Sequence, residues 1–296
     1  MDNGYLFDGI YANLSLLRPR VKFLLKPVMP FHYRKFAKNW IQISFYRLLR
    51  KYPFEIKTYQ GQGIKIQNEK AWRKEIGKLN KDLIRDKYGI KFLGIERGDA
   101  RAILNEDYKF LVDPGNYVVD IGANVGDTAL YFWHYGMKVL GFEPYPVLYN
   151  TALKNVHINK IESITIKRAA LGKKDEYIYL ENVKDADLGI SIKFYKKGIK
   201  TPVYSLKTAI HKFAVPRDAN LKIDCEGCEY DIILNSDDKT LKHFKKIQIE
   251  YHYGRKNLVE RLKKAGFNVR STLPRKGWNT WANKYMYVGY IYAERN

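Results

Sequence analysis

One stretch constrains the fold of this chain more than any other: Tyr117-Val-Val-Asp-Ile-Gly-Ala-Asn-Val-Gly-Asp127, followed by Val139-Leu-Gly-Phe-Glu143. The apolar pair Val118 and Val119, closed by Asp120, is the pattern of a strand buried in a parallel sheet. Gly122 and Gly126 let the following turn pass close to a ligand, and Asp127-Thr128 opens an apolar, aromatic helix running to about Tyr135. Glu143 comes 23 positions after Asp120, a separation at which the end of the next strand reaches the two hydroxyls of a ribose. The unit reads as a nucleoside-binding half-site.

Two nucleoside ligands compete for it. A dinucleotide turn is G-x-G-x-x-G, with the helix N-terminus facing a pyrophosphate. Here Gly122-Ala-Asn-Val-Gly126 lacks the tight glycine pair, and a turn with no pyrophosphate to grip suits S-adenosylmethionine, which has no phosphate. The glycines alone are common to many α/β turns; the strand-end acid is what sharpens the reading.

Further motifs follow in order: Phe142-Glu-Pro-Tyr-Pro146, Ala169-Ala-Leu-Gly172, Leu221-Lys-Ile-Asp-Cys-Glu-Gly-Cys-Glu-Tyr-Asp231 and Ile247-Gln-Ile-Glu250. With Asp120-Ile-Gly-Ala-Asn-Val-Gly126 they make the chain resemble the FkbM family of methyltransferases over roughly residues 95 to 295. The resemblance implies the class I S-adenosylmethionine-dependent fold: α/β, doubly wound, with a mostly parallel, seven-stranded Rossmann-like sheet. It implies methyl transfer to a hydroxyl oxygen of a sugar or related metabolite, and it places Ala170 near the adenine ring. It names no single acceptor.

Strand and helix signals alternate along residues 91–296, as a sheet wrapped on both faces requires. Strands are expected near 117–121, 138–143, 163–168, 176–181, 220–224, 246–251, 266–272 and 284–293, and helices near 127–135, 145–156, 205–213, 228–235 and 255–265. The last two strands would form an antiparallel pair. Residues 182–204 show no period and read as a hairpin or excursion near the acceptor.

Residues 1–90 read as a separate, mainly helical extension. The chain carries a net charge of +22, and residues 1–91 hold 20 lysines and arginines against 7 acids, which is +13 of that total in under a third of the length. Prolines at 19, 27, 30 and 53 cut this region into pieces, leaving one basic amphipathic helix from about Lys35 to Lys51. Three readings fit. Trp40, Ile43, Phe45 and Leu48 could pack a cap while the lysines face solvent; basic and aromatic side chains together could hold RNA; or the helix could rest on an anionic membrane surface and bring a lipid-linked acceptor within reach.

The chain is long enough for a sizeable core, with 46% apolar residues, and no stretch reads as a membrane span or a secretory leader. A cytoplasmic enzyme is expected, peripheral to the membrane if the third reading holds. The two cysteines, Cys225 and Cys228, are too few for a zinc site built from paired C-x-x-C motifs and read as two small, reduced, partly buried thiols.

A hydroxyl acceptor needs a general base, worth about 10² to 10⁴-fold, and ligands of open α/β sheets lie beyond the strands' carboxyl ends. Asp224, Glu226 and His252 are the candidates there: Asp224 on the donor side, Glu226 as first choice for base or acceptor contact, and His252 as its rival, because an unperturbed imidazole titrates near pH 6.5. The cofactor set is Asp120, Gly122, Asn124, Gly126, Glu143, Ala170 and Asp224. Each has a plainer reading, since Glu226 or Glu229 could cap the next helix, His252 could be an edge residue between two tyrosines, and Asn124 could stabilise its own turn. Asp224, Glu250 and His252 could hold a divalent cation such as magnesium for a diol acceptor, although a metal-free site is the simpler reading. The acceptor is expected to be a small molecule or glycan, with RNA as the alternative.

Overall fold

The computed structural model describes residues 33–93, 100–180, 198–279 and 284–295. They divide into two units, residues 33–89 with 100–104 and residues 90–93 with 105–295, each with its own apolar interior. Residues 1–32 of the basic extension, and 182–197 of the aperiodic stretch, lie outside the described residues.

In the first unit, helix α1 (Trp40–Leu49) precedes an antiparallel hairpin of β1 (Phe54–Lys57) and β2 (Gly63–Ile66), then a 20-residue helix α2 (Glu69–Tyr88), with α3 (Ala100–Asn105) following. Asn68 starts α2 by accepting the Ala71 amide at 2.9 Å, and Gly89, at φ +67°, ends it. Tyr33, Phe36, Ile43, Phe54, Ile56, Ile66, Trp72 and Leu79 form the core. Arg47 fastens α1 to α2, donating to Glu69 at 2.6 Å while lying over the Trp72 ring at 4.7 Å. The expected amphipathic helix is therefore present but shorter than 35–51, and the hairpin, which begins just after the Pro53 break and turns at Gly61, was not expected. Of the apolar residues singled out on this helix, Ile43 is buried in the core of this unit, whereas Phe45 is 58% exposed.

The second unit is built on a sheet of eight strands. β3 (Tyr117–Ile121), β4 (Lys138–Phe142), β5 (Ile164–Lys167), β9 (Ala219–Ile223) and β10 (Phe244–Tyr251) run parallel; β13 (Lys284–Glu294) lies antiparallel between β10 and β11 (Asn268–Ser271). Seven strands thus lie side by side in the order β11-β13-β10-β9-β3-β4-β5, and an eighth, β12 (Arg275–Asn279), pairs with the first half of β13. The extra strand arises because β13 has 11 residues and outruns β11, leaving an edge that β12 covers. Helices α4 (Asp127–His134) and α5 (Pro146–Ile158) follow β3 and β4, and α6 (Leu206–Lys212), α7 (Cys228–Asn235), α8 (Asp238–Leu241) and α9 (Lys256–Lys264) complete the unit. Among the described residues no helix is long and apolar enough to cross a membrane.

The strand expected at 176–181 belongs to another sheet. β6 (Ala170–Gly172), β7 (Glu176–Leu180) and β8 (Ile199–Ser205) form a separate three-stranded sheet in the order β6-β8-β7. Along β7 Tyr177 and Tyr179 are exposed while Ile178 and Leu180 are buried, which is the alternation of a one-sided antiparallel sheet and not of a central parallel strand. Residues 199–205, read as part of the aperiodic excursion, are its middle strand.

The two faces of the main sheet differ in chemistry. Val119, Ile121, Leu221, Ile223, Ile247, Ile249 and Tyr251 join residues of α6, α7 and α9 in one apolar cluster. On the other face a lateral row, Asp120–Lys222–Gln248–Tyr292–Arg270, crosses five strands in register. A segment holding the 3₁₀ turn Lys109–Leu111 lies on this polar face, tied by Gln248 Nε2 to the Asp107 carbonyl (2.7 Å) and by Asn220 Nδ2 to the Leu111 carbonyl (2.9 Å). The amide nitrogens of these two buried side chains are thus partnered by backbone carbonyls, while Asn220 Oδ1 and Gln248 Oε1 have no hydrogen-bond partner among the described residues.

Candidate active site

The turn after β3 is held by main chain. Gly122 and Ala123 amides both donate to the Phe142 carbonyl at 3.0 Å, and Gly122 (φ +78°), Asn124 (φ +50°) and Gly126 (φ +84°) all take left-handed conformations. A Cβ at Gly122 would lie 1.8 Å from the Asp224 carbonyl oxygen, so only glycine lets the two loops approach this closely. At Gly126, read in the sequence as allowing close approach of a ligand, a Cβ would meet Ala152 Cβ of α5 at 3.2 Å, so this glycine also lets a helix pack closely.

Glu143, 4% exposed, follows β4 and closes the turn: its Oε2 accepts the Asn124 amide at 3.0 Å and its Oε1 the Tyr145 amide at 2.9 Å. Burial pushes this carboxyl up to about 7, against the pull of those two amides. Each oxygen keeps lone pairs for further donors. Asp120 is engaged differently. It is fully buried, with Oδ1 2.8 Å from Lys222 Nζ and Oδ2 accepting from Thr128 Oγ1 at 2.6 Å. Lys222, itself 1% exposed, also donates to the Gly122 carbonyl at 2.8 Å. The pair therefore ties β3, β9, α4 and the glycine turn at one point. Ala170 follows the end of β5, next to Ala169, whose amide donates to Lys167; the same Lys167 carbonyl accepts the Glu143 amide.

The carboxyl ends of β9 and β10 bring Asp224, Glu226 and His252 together. His252 Nε2 lies 3.6 Å from Glu226 Oε2 and 3.8 Å from Asp224 Oδ1, and its Nδ1 meets Glu229 Oε1 at 3.0 Å. Glu229 is fully buried at the first turn of α7 and also accepts the His252 and Gly227 amides, at 3.0 and 2.8 Å. One carboxylate thus staples the end of β10 to the loop after β9. Burial by itself would lower the pKa of His252, but the hydrogen bond to Glu229 and the charges of Glu229, Glu226 and Asp224 carry it up to about 10. The imidazole is a cation at neutral pH. That removes the argument for His252 as a base titrating near 6.5, which assumed an unperturbed ring.

Burial raises Glu226, with Asp224 and Glu229 adding to the rise and His252 opposing it. Glu250, two residues before His252, is pushed up to about 8 by burial and by Asp224, and it is hydrogen-bonded to Tyr290 on β13. Tyr108 donates to Asp224 Oδ2 at 2.9 Å. Among the described residues no cluster of three or more His, Cys, Asp or Glu side chains is arranged to hold a metal ion.

Glu226 has φ +56° and Gly227 φ +126°, a turn that brings Cys225 and Cys228 to a Cα separation of 5.5 Å, and the two are joined in a disulfide. The expectation of two reduced thiols is therefore corrected: the spacing places them on the same side of this turn. Lys222, Tyr108 and Tyr290 were not among the expected residues, and Glu229 was expected only as a possible helix cap. Only Lys222 and Glu229 carried a signal, a charge in an apolar strand and an acid at a helix start.

The residues present fit S-adenosylmethionine. Asn124 Oδ1 is buried at the glycine turn without a hydrogen-bond partner among the described residues, and the Glu143 carboxylate with the turn beside it matches a ribose diol in a loop with no anion-gripping glycine pair. A doubly wound sheet of this order, with a glycine turn after its first central strand and an acid at the end of the second, defines a class I methyltransferase. The sequence profile of the methyltransferase FkbM domain matches residues 120–277, over half of the chain. The chain belongs to the FkbM methyltransferase family and is an S-adenosylmethionine-dependent methyltransferase.

No curated protein sequence matches the chain. Among solved structures, the METTL16 methyltransferase domain is similar over 81% of this chain and 86% of its own, with 16% identity and a TM-score of 0.51, a likeness of fold. The precorrin-6y C5,15-methyltransferase of Geobacter metallireducens GS-15 aligns over 70% of this chain and 95% of its own at 12% identity and a TM-score of 0.41. A human methyltransferase 10 domain containing protein aligns over 75% and 97% at 14% identity and 0.43.

Proposed function

We propose that the enzyme methylates a hydroxyl oxygen of a neutral, hydroxyl-rich acceptor, a sugar of a glycan or glycolipid precursor. The observation that carries this reading is the set of carboxylates around His252, with Glu226 and Asp224 within 4 Å of Nε2 and Glu229 against Nδ1. Glu226 and Asp224, partly exposed, can accept hydrogen bonds from several hydroxyls at once and repel the phosphates of a polyanion, with Glu229 buried behind the ring.

S-adenosylmethionine supplies a methyl group already activated by its sulfonium charge. Glu143 is assigned to the ribose hydroxyls, Asn124 and the Gly122–Gly126 turn to its amino-acid and nucleoside portions, Ala170 to an apolar adenine wall, and Asp224 to the donor side. Asp120 is a positioning residue that acts through Lys222 and Thr128. Glu226 takes the acceptor's proton, because a carboxyl raised by burial is a stronger base than one in water. Protonated His252 holds the Glu226 and Asp224 carboxylates in place and offsets part of their repulsion.

The test is transfer of labelled methyl from S-adenosylmethionine by the full chain to neutral glycans and to RNA side by side, for wild type and Glu226→Gln. Label in glycans is expected, with Glu226→Gln about 10² to 10⁴-fold slower and S-adenosylhomocysteine binding within about twofold. Label in RNA, or an undiminished Glu226→Gln enzyme, refutes the reading.

A further inference from the structure

An open groove adjoins the reactive end of the sheet on its polar face. Its floor is aromatic: Phe110 and Tyr292 pack edge to face with ring centroids 5.4 Å apart. The Arg270 guanidinium lies over both rings, at 5.5 and 5.0 Å, and among the described residues it has no carboxylate or hydrogen-bond partner. Held flat by stacking, it keeps a rigid set of N–H donors without an internal acceptor. Glu106, Asp107, Lys109, Ser271 and Thr272 complete the wall.

Packed aromatic rings connect the floor of the groove to the residues of the reaction centre. Tyr292 stands opposite Arg270 on β11, and two residues along β13, on the same face, Tyr290 stands opposite Glu250. The Tyr292 and Tyr290 rings are 6.2 Å apart, Tyr290 and Tyr108 again 6.2 Å, and Tyr108 donates to Asp224. A row of packed rings thus runs from the Asp224 carboxylate to Arg270.

The lining decides the ligand class. Glu106 pairs with Lys109 at 3.1 Å, Asp107 offsets the charge of Arg270, and Lys246, 5.5 Å over the Phe110 ring, lies 3.8 Å from Glu294, so the charges around the groove balance and give a polyanion little net attraction. The groove offers instead acceptors, donors and an aromatic floor. Those are the three things a pyranose uses, since its hydroxyls both donate and accept and its C–H faces rest on the negative face of a ring. Resting on the sugar reading of the reaction centre, we infer that this groove is a second sugar subsite and that the acceptor is a neutral oligosaccharide, whose neighbouring units lie along Tyr292 and Arg270 while one unit is methylated.

The test uses the full chain on an array of neutral mono- to tetrasaccharides of mixed linkage, with sulfated glycans and decauridylate as anionic controls. Wild type should retain neutral tri- and tetrasaccharides about tenfold better than their monosaccharides, roughly what stacking a ring on an aromatic floor contributes. Tyr292→Ala and Arg270→Ala should erase that preference with S-adenosylhomocysteine binding unchanged, and Tyr292→Phe, which keeps the ring, should retain it. Equal retention of monosaccharides and longer chains overturns the subsite while leaving the sugar reading standing. No retention of any sugar overturns both. Decauridylate retained by wild type and lost in Arg270→Ala makes the groove a nucleic-acid site and overturns the inference.

Discussion

Replacing Lys222 by Met tests the architecture at its centre. The ammonium is 2% exposed and the Asp120 carboxylate is fully buried, so the substitution strips a buried anion of its counter-charge and leaves the Gly122 carbonyl without its donor. Breaking a buried pair by removing one partner typically costs about 3–5 kcal/mol. Proton uptake sets an independent ceiling. An orphaned buried carboxylate escapes by binding a proton, and for an acid that ionises near pH 3.9 in an unfolded chain this costs at most about 4 kcal/mol at pH 7 and about 1.5 kcal/mol at pH 5. Urea unfolding of Lys222→Met should therefore show a loss of about 3–4 kcal/mol at pH 7 that shrinks by more than half at pH 5. Adding Asp120→Asn should recover most of the loss at pH 7, because no charge is then left unpaired. A loss below about 1 kcal/mol at pH 7, or one that does not change with pH, would refute the reasoning.

Three further outcomes follow from the same geometry. Glu143 ionises at about 7 in the cofactor-free fold, and only its carboxylate accepts from two ribose hydroxyls, so calorimetric affinity for S-adenosylhomocysteine should fall as pH drops from 8 to 6; Glu143→Gln should bind weakly with no such slope. Gly122→Ala places a methyl against the Asp224 carbonyl at φ +78°, which at about 1–2 kcal/mol for the left-handed backbone and about 1–3 for overpacking should lower stability by about 2–5 kcal/mol in a denaturant melt; wild-type stability would contradict the close approach. His252 has a folded pKa raised to about 10 from an ordinary 6.5, so its stabilising contribution is complete below about 6.5 and is lost as pH rises through 10. The urea midpoint of wild type should accordingly decline between pH 7 and 10 more steeply than that of His252→Gln, and parallel declines would argue against an imidazolium.

What could be read in the sequence was whatever a local rule dictates. Gly122, Gly126 and Glu143 were legible because a close turn and a strand-end acid each demand a residue type at a fixed offset. The helices at 228–235 and 256–264 followed from apolar spacing. The polar face was not legible. Lys222 and Gln248 occupy strand positions whose neighbours are apolar, and their partners, at Asp120 and Asp107, lie more than a hundred residues away, where no period connects them. β8 was lost because Pro202 lacks an amide and argues against a middle strand, yet its neighbours Thr201 and Val203 are buried. The reversal at His252, from neutral base to cation, depends on Glu229, which only the fold brings to it.

The approach of Gly122 to Asp224 also bears on how such an enzyme can change. Main chain meets main chain there, and the Asp224 amide donates to Ile121 at 3.0 Å across the same seam. The approach of the turn after β3 to the loop after β9 is therefore set by peptide groups common to any residue, while Tyr292 and Arg270 of the proposed acceptor groove take no part in that seam. Those groove side chains can be exchanged without moving this seam, provided one glycine stays in place.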